Sequence, residues 1–184
     1  MENVLRKNRL FEFMERLTAK KGDNVAYEEA YHLYDDIKKY MENNLISDDK
    51  KGHQLLIIDP YLLAGNESNI RELIDFIKNI SPSEVVAICR NDVNVSSTRM
   101  KDGVLFRDFN DSVAHLRTEL QGINFYVIPC DGQNIPFHDR FWIFPRFYGI
   151  VVGTSFNGIC KGKMIYMAEL TPKEIDDICD HAGI

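Results

Sequence analysis

The spacing of apolar residues changes character twice along the chain. Up to residue 45 it has a helical period: Leu10, Phe13, Met14 and Leu17, then Tyr27, Ala30, Tyr31, Tyr34 and Ile37, with Tyr40 and Met41 extending the second face. Recurrence every three or four residues predicts two amphipathic helices. They break at Gly22-Asp23-Asn24, where Asp23 or Asn24 can cap the second. The polar run Ser47-Asp48-Asp49-Lys50-Lys51-Gly52 then acts as a hinge. The chain therefore divides into an N-terminal helical extension, residues 1–50, and a main domain, residues 51–184.

From Gln54 short continuous apolar runs take over. Leu55-Leu56-Ile57-Ile58, Val85-Val86-Ala87-Ile88-Cys89 and Phe125-Tyr126-Val127-Ile128 predict strands buried on both faces. Between them Ile70, Leu73, Ile74 and Ile77, and then Val113, Leu116 and Leu120, keep helical spacing. Strand, helix, strand, helix, strand predicts a parallel sheet with helices on its faces. After residue 136 the helical spacing stops. Phe141–Phe144, Ile150–Val152 and Met164–Met167 predict three hairpin-like strands. Thr171-Pro172-Lys173-Glu174 opens a last helix, with Thr171 as N-cap, Pro172 at the first position and Glu174 closing a capping box. The expected class is α/β, with a mixed sheet flanked by helices.

Composition narrows the class little further. With 184 residues, 45% of them hydrophobic and 27% charged, the main domain has enough apolar material for one core. No apolar run approaches the roughly 20 residues of a bilayer span, and the N-terminus lacks a basic stretch followed by an apolar one, so a cytoplasmic protein is expected. The net charge of −6 offers no general attraction to polyanions, so any such ligand needs a local basic cluster. Cys89, Cys130, Cys160 and Cys179 form no Cys-x-x-Cys pair and read as small core residues. Cys130 and His138 lack a further ligand pair for zinc, so neither a metal nor another cofactor is expected.

Candidate chemistry sits in Phe137-His138-Asp139-Arg140-Phe141 and in Gly153-Thr154-Ser155-Phe156-Asn157-Gly158. On a strand His138 and Arg140 share a face while Asp139 points away. If the two strands are neighbours, the Ser155 hydroxyl and the Asn157 amide reach the same place. An imidazole, a guanidinium, a hydroxyl and an amide suit a tetrahedral phosphate. Ser155 and Asn157 are also ordinary turn formers. Asp59 and Tyr61 follow a strand, where α/β sites lie, although Asp-Pro-Tyr is also a plain strand-ending turn. Lys161 and Lys163 suit either a phosphodiester backbone or a solvated turn. The tyrosines of the N-terminal segment read as packing residues, and His32, His53, His115 and His181 have no convergent partners.

These two segments resemble the phospholipase D-like superfamily, whose motif runs His-x-Lys-x4-Asp followed by Gly-Ser-x-Asn. His138-Asp139-Arg140 looks like its first part, with arginine for lysine. Gly153-Thr154-Ser155-Phe156-Asn157 looks like the second, with one inserted residue. The resemblance covers roughly residues 54 to 170, including the strand end Ile58-Asp59-Pro60-Tyr61. Pro145 stands where the motif has aspartate.

The resemblance implies a metal-independent phosphodiesterase, read as a nuclease because no lipid-binding or secretion feature is present. In it His138 forms a phosphohistidine, Arg140 clamps the phosphate, and Ser155 and Asn157 support it. Asp59, Lys161 and Lys163 would bind substrate. One motif per chain implies a homodimer that brings two His138 side chains to one phosphate. The alternative is a degenerate module that binds a phosphate-containing ligand, nucleic acid or protein without cutting it.

Overall fold

A computed structural model of the chain describes residues 31–32, 34–94, 98–131, 137, 139–158 and 165–184. The first expected helix and the start of the second lie outside them.

Six strands form the body of a mixed sheet in the order β9-β8-β7-β2-β3-β6. Three are parallel: β2 (Gln54–Ile58), β3 (Glu84–Arg90) and β6 (Asn124–Cys130). The direction then reverses. β7 (Arg140–Phe144) runs antiparallel to β2, and β8 (Tyr148–Val152) and β9 (Ile165–Glu169) follow as antiparallel neighbours. The split into a parallel first half and a hairpin-like second half agrees with the apolar runs.

Alternation places helices on both faces. Leu55, Ile57, Val85, Ala87, Trp142 and Phe144 look into a core closed by α1 (Tyr34–Leu45), α2 (Glu67–Ile80) and α3 (Phe109–Glu119). Leu56, Ile58, Val86, Ile88, Phe141 and Ile143 face the other way, under Ile175, Ile178 and Cys179 of α4 (Pro172–Ala182). The apolar runs of β2 and β3 are continuous because both of their faces are covered. Helix α4 starts as its sequence predicts: Thr171 accepts from the Glu174 N–H, Glu174 returns the bond to the Thr171 N–H, and Pro172 opens the first turn.

Helix α1 belongs to the main core. Met41 and Leu45 are buried in it, the Tyr148 hydroxyl donates to Asn44 Oδ1 at 2.8 Å, and Lys38 pairs with Glu72 of α2 at 2.9 Å. Ahead of α1 one helical expectation fails. Tyr31–His32 form a two-residue strand, β1, antiparallel to β9. Pairing to an open sheet edge outweighs a local helical period that rests on aromatic residues, which suit strands equally well.

A second element escaped the pattern. β4 (Thr98–Lys101) and β5 (Val104–Arg107) make a separate hairpin. Its two-residue turn, Asp102-Gly103, has φ of 52° and 77°. Two successive left-handed residues are what a tight hairpin turn requires, and Asp-Gly is a favoured pair for it. Among the described residues, no helix is long and apolar enough to cross a membrane.

Candidate functional site

The site is built where β2 stops. The apolar run ends at Ile58, Asp59 follows, and Pro60 has no N–H with which to continue a ladder. Register then decides what Asp59 meets. Ile58 pairs with Phe141, so Asp59 comes level with Arg140 at the start of β7, and Arg140 pairs in turn with Val152 near the end of β8. Three segments far apart in sequence reach one edge of the sheet, the edge at which the parallel strands end. This is where open α/β sheets place their ligands.

Asp59 has no exposed surface. Its Oδ1 accepts from the Tyr61 N–H at 2.9 Å, and its Oδ2 accepts from the Ser155 hydroxyl and the Phe156 N–H, both at 2.8 Å. Burial pushes the carboxyl above its ordinary value; the three donors and the Arg140 charge pull the other way without reversing the shift. Asp59 therefore fastens the turn after β8 to the turn after β2, and its oxygens face inward rather than toward a ligand.

Asn157 makes a second fastening. It lies in the short 3-10 turn Phe156–Gly158, and its Nδ2 donates to the carbonyls of Tyr61 and Leu62, the latter at 2.9 Å. Gly65 lets this amide approach closely. A Cβ built on Gly65 would stand 2.5 Å from Asn157 Oδ1 and 2.6 Å from Asn69 Cβ. Neither neighbour can retreat: one side chain is hydrogen-bonded in place and the other atom adjoins a helix backbone. Gly65→Ala is therefore expected to destabilise the fold by about 1–3 kcal/mol, read as a lower urea midpoint with an unchanged slope.

Arg140 is the half-buried cation of the group, on the face of β7 that carries Trp142. Its guanidinium carbon lies 5.9 Å from the centre of the Tyr61 ring. A second guanidinium, which the motif reading did not single out, stands 5.3 Å from the same ring: Arg90, the last residue of β3. Arg90 Nη1 donates to the Tyr61 hydroxyl at 3.2 Å, and Asp92 takes its other side in a two-pronged pair at 2.7 and 2.5 Å. The charged residue closing an otherwise apolar strand was the signal available for Arg90, the same signal that marks Asp59.

No family model and no curated protein matches this chain. The likeness to phospholipase D-like proteins therefore rests on the residues themselves. The structure gathers Asp59, Arg140, Ser155 and Asn157 at one edge. His138, Lys161 and Lys163 lie outside the described residues. Pro145, seven places after His138, follows the last residue of β7 and so stands at the opposite end of the strand from Arg140. A five-residue strand spans about 16 Å, so no side chain at position 145 would meet Arg140, whatever its chemistry.

Clefts also open elsewhere among the described residues. One, of about 760 Å3, lies between the β7–β8 turn and α4 and is lined by Pro145, Phe147, Pro172 and Cys179. Another, of about 410 Å3, lies between α1 and α2 beside Lys38 and Glu72.

Proposed function

We propose that this chain is a phospholipase D-like protein that handles a phosphodiester of nucleic acid at the edge where β2 and β8 end and β7 begins. In this reading His138 attacks phosphorus, water then resolves the phosphohistidine, and Arg140 holds the phosphoryl oxygens. A homodimer supplies the second histidine as general acid to the leaving oxygen. The chemistry needs no metal, because covalent catalysis and a fixed cation serve for the nucleophile and the developing charge.

The observation that carries the reading is the setting of Arg140. A half-buried guanidinium at the start of β7, level with the fully buried Asp59 of the neighbouring strand and 5.9 Å from the Tyr61 ring centre, is placed to meet an anion at this edge. Ser155 and Asn157 then act as fasteners that fix the turn beside the cation, in place of direct phosphate ligands.

The test is hydrolysis of bis(p-nitrophenyl) phosphate in excess EDTA, with the dimer checked by size-exclusion chromatography. Turnover is expected to survive the chelator. Arg140→Ala should raise KM about 10- to 100-fold, with Arg140→Lys in between because it keeps the charge and loses the fork. Chelator-sensitive turnover, or an Arg140→Ala enzyme with unaltered kinetics, would remove the proposal.

Binding without cleavage is the second reading. It draws support from the Ser155 and Asn157 donors, which already serve the protein and not a ligand. Phosphodiester binding that depends on Arg140 but shows no turnover would select it.

A further inference from the structure

Neither Tyr61 nor Arg90 has a part in the phosphodiester chemistry proposed for this edge. Tyr61 is 39% exposed, yet it is restrained at several points. Its N–H is bound to Asp59, its hydroxyl accepts from Arg90, and two guanidinium carbons lie within 6 Å of its ring centre. Arg90 is in turn held by Asp92. That pairing offsets much of the Arg90 charge, so Arg90 serves to orient the ring more than to neutralise an anion. An exposed tyrosine ordinarily samples several rotamers and loses that freedom when something binds. Here the ring is oriented beforehand, and binding costs correspondingly less.

We propose that Tyr61 is a stacking platform for a nucleobase whose neighbouring phosphate lies at Arg140. The ligand would then be single-stranded nucleic acid, or a frayed strand end, and not a lipid headgroup or free phosphate. This inference rests on Arg140 being a phosphate ligand. Given that, the geometry follows: the Arg140 guanidinium is within 6 Å of the Tyr61 ring centre, so a nucleotide whose phosphate meets the cation has its base within reach of the ring. Aromatic stacking tolerates any base, because every base has a π-face.

The experiment compares a short fluorescein-labelled oligothymidylate with an abasic strand of the same length, by anisotropy at one fixed salt concentration. The two strands carry equal numbers of phosphates, so the backbone contribution cancels. Wild-type protein is expected to prefer the thymidine strand roughly tenfold. Tyr61→Phe should keep that preference. Tyr61→Leu, which retains bulk without a π-face, should bring the two strands to equal affinity, and Tyr61→Ala should do the same. A preference that survives Tyr61→Leu, or equal binding of both strands by wild-type protein, overturns the platform while leaving the phosphate site standing. If wild-type protein binds neither strand, or Arg140→Ala leaves both affinities unchanged, the phosphate site falls and the platform falls with it.

Discussion

Replacing Asp59 by alanine is expected to lower the unfolding free energy by about 3–5 kcal/mol, the usual cost of removing one partner from a buried charged cluster. Three donors lose their acceptor at once: the Ser155 hydroxyl and the N–H groups of Tyr61 and Phe156. The Arg140 guanidinium also loses a negative charge that acts on it across the strand pair. Urea unfolding of wild-type protein and Asp59→Ala measures the change. An effect below about 1 kcal/mol would mean that the turn after β8 is held by other contacts.

Asp59→Asn adds a pH-dependent readout. Burial holds the folded-state carboxyl above its ordinary value. As pH rises from the usual carboxylate range, the folded protein retains a proton that the unfolded chain has already released. Stability contributed by Asp59 is thus fully present below the unfolded pKa and falls until the folded value is passed. The difference in urea midpoint between wild type and Asp59→Asn should therefore shift against wild type from about pH 4 upward and then level off. Subtracting the variant removes carboxylates of opposite sign, such as Glu67, which Arg107 holds below its ordinary range. A difference that shifts toward wild type would mean that the donors and Arg140 outweigh burial.

The second large effect concerns His138. On the proposed function, His138→Ala should reduce EDTA-resistant hydrolysis by about three orders of magnitude or more, while Kd for a phosphodiester moves only a few-fold. The asymmetry is informative because a nucleophile acts on the reacting atom, whereas Arg140 also binds the ground state. Equal losses in binding and turnover would make His138 a binding residue. Undiminished turnover would end the phosphohistidine mechanism.

Most of the architecture could be read from apolar spacing because the sheet is covered on both sides. Continuous runs such as Leu55–Ile58 have no alternative place to go, and the capping box at Thr171 fixes a helix start through purely local bonds. The elements that escaped depend on other information. Asp102-Gly103 is a strong turn signal, but the described side chains of the flanking strands belong to neither main core cluster and carry little apolar pattern, with Met100 two-thirds exposed. The strand at Tyr31–His32 depends on β9 as a partner, which no local window contains.

At the site, the convergence of Arg140, Ser155 and Asn157 was expected if their two strands were neighbours, and β7 and β8 are indeed paired; Asp59 joins them from the end of a third strand, β2. What the residue types did not reveal was the direction in which the polar groups point. A serine after a strand offers its hydroxyl equally to a ligand or to a buried carboxylate. The choice is made by Asp59, 96 residues earlier, whose lack of solvent demands donors. Tyr61 stood out only by its place after a strand and Arg90 not at all, because the contact between their side chains exists only once β2 and β3 lie side by side.

The long reach of that Asp59 clasp also orders events during synthesis. A chain emerging from the ribosome can pair β2, β3 and β6 before residues 155 and 156 leave the exit tunnel, and until then the aspartate has neither its hydroxyl nor its second amide donor. Loops of that length close slowly relative to local contacts. The edge that would bind a ligand should therefore be among the last regions to acquire native protection, and a nascent chain halted before residue 155 would present a partly formed sheet whose binding end has not yet been assembled.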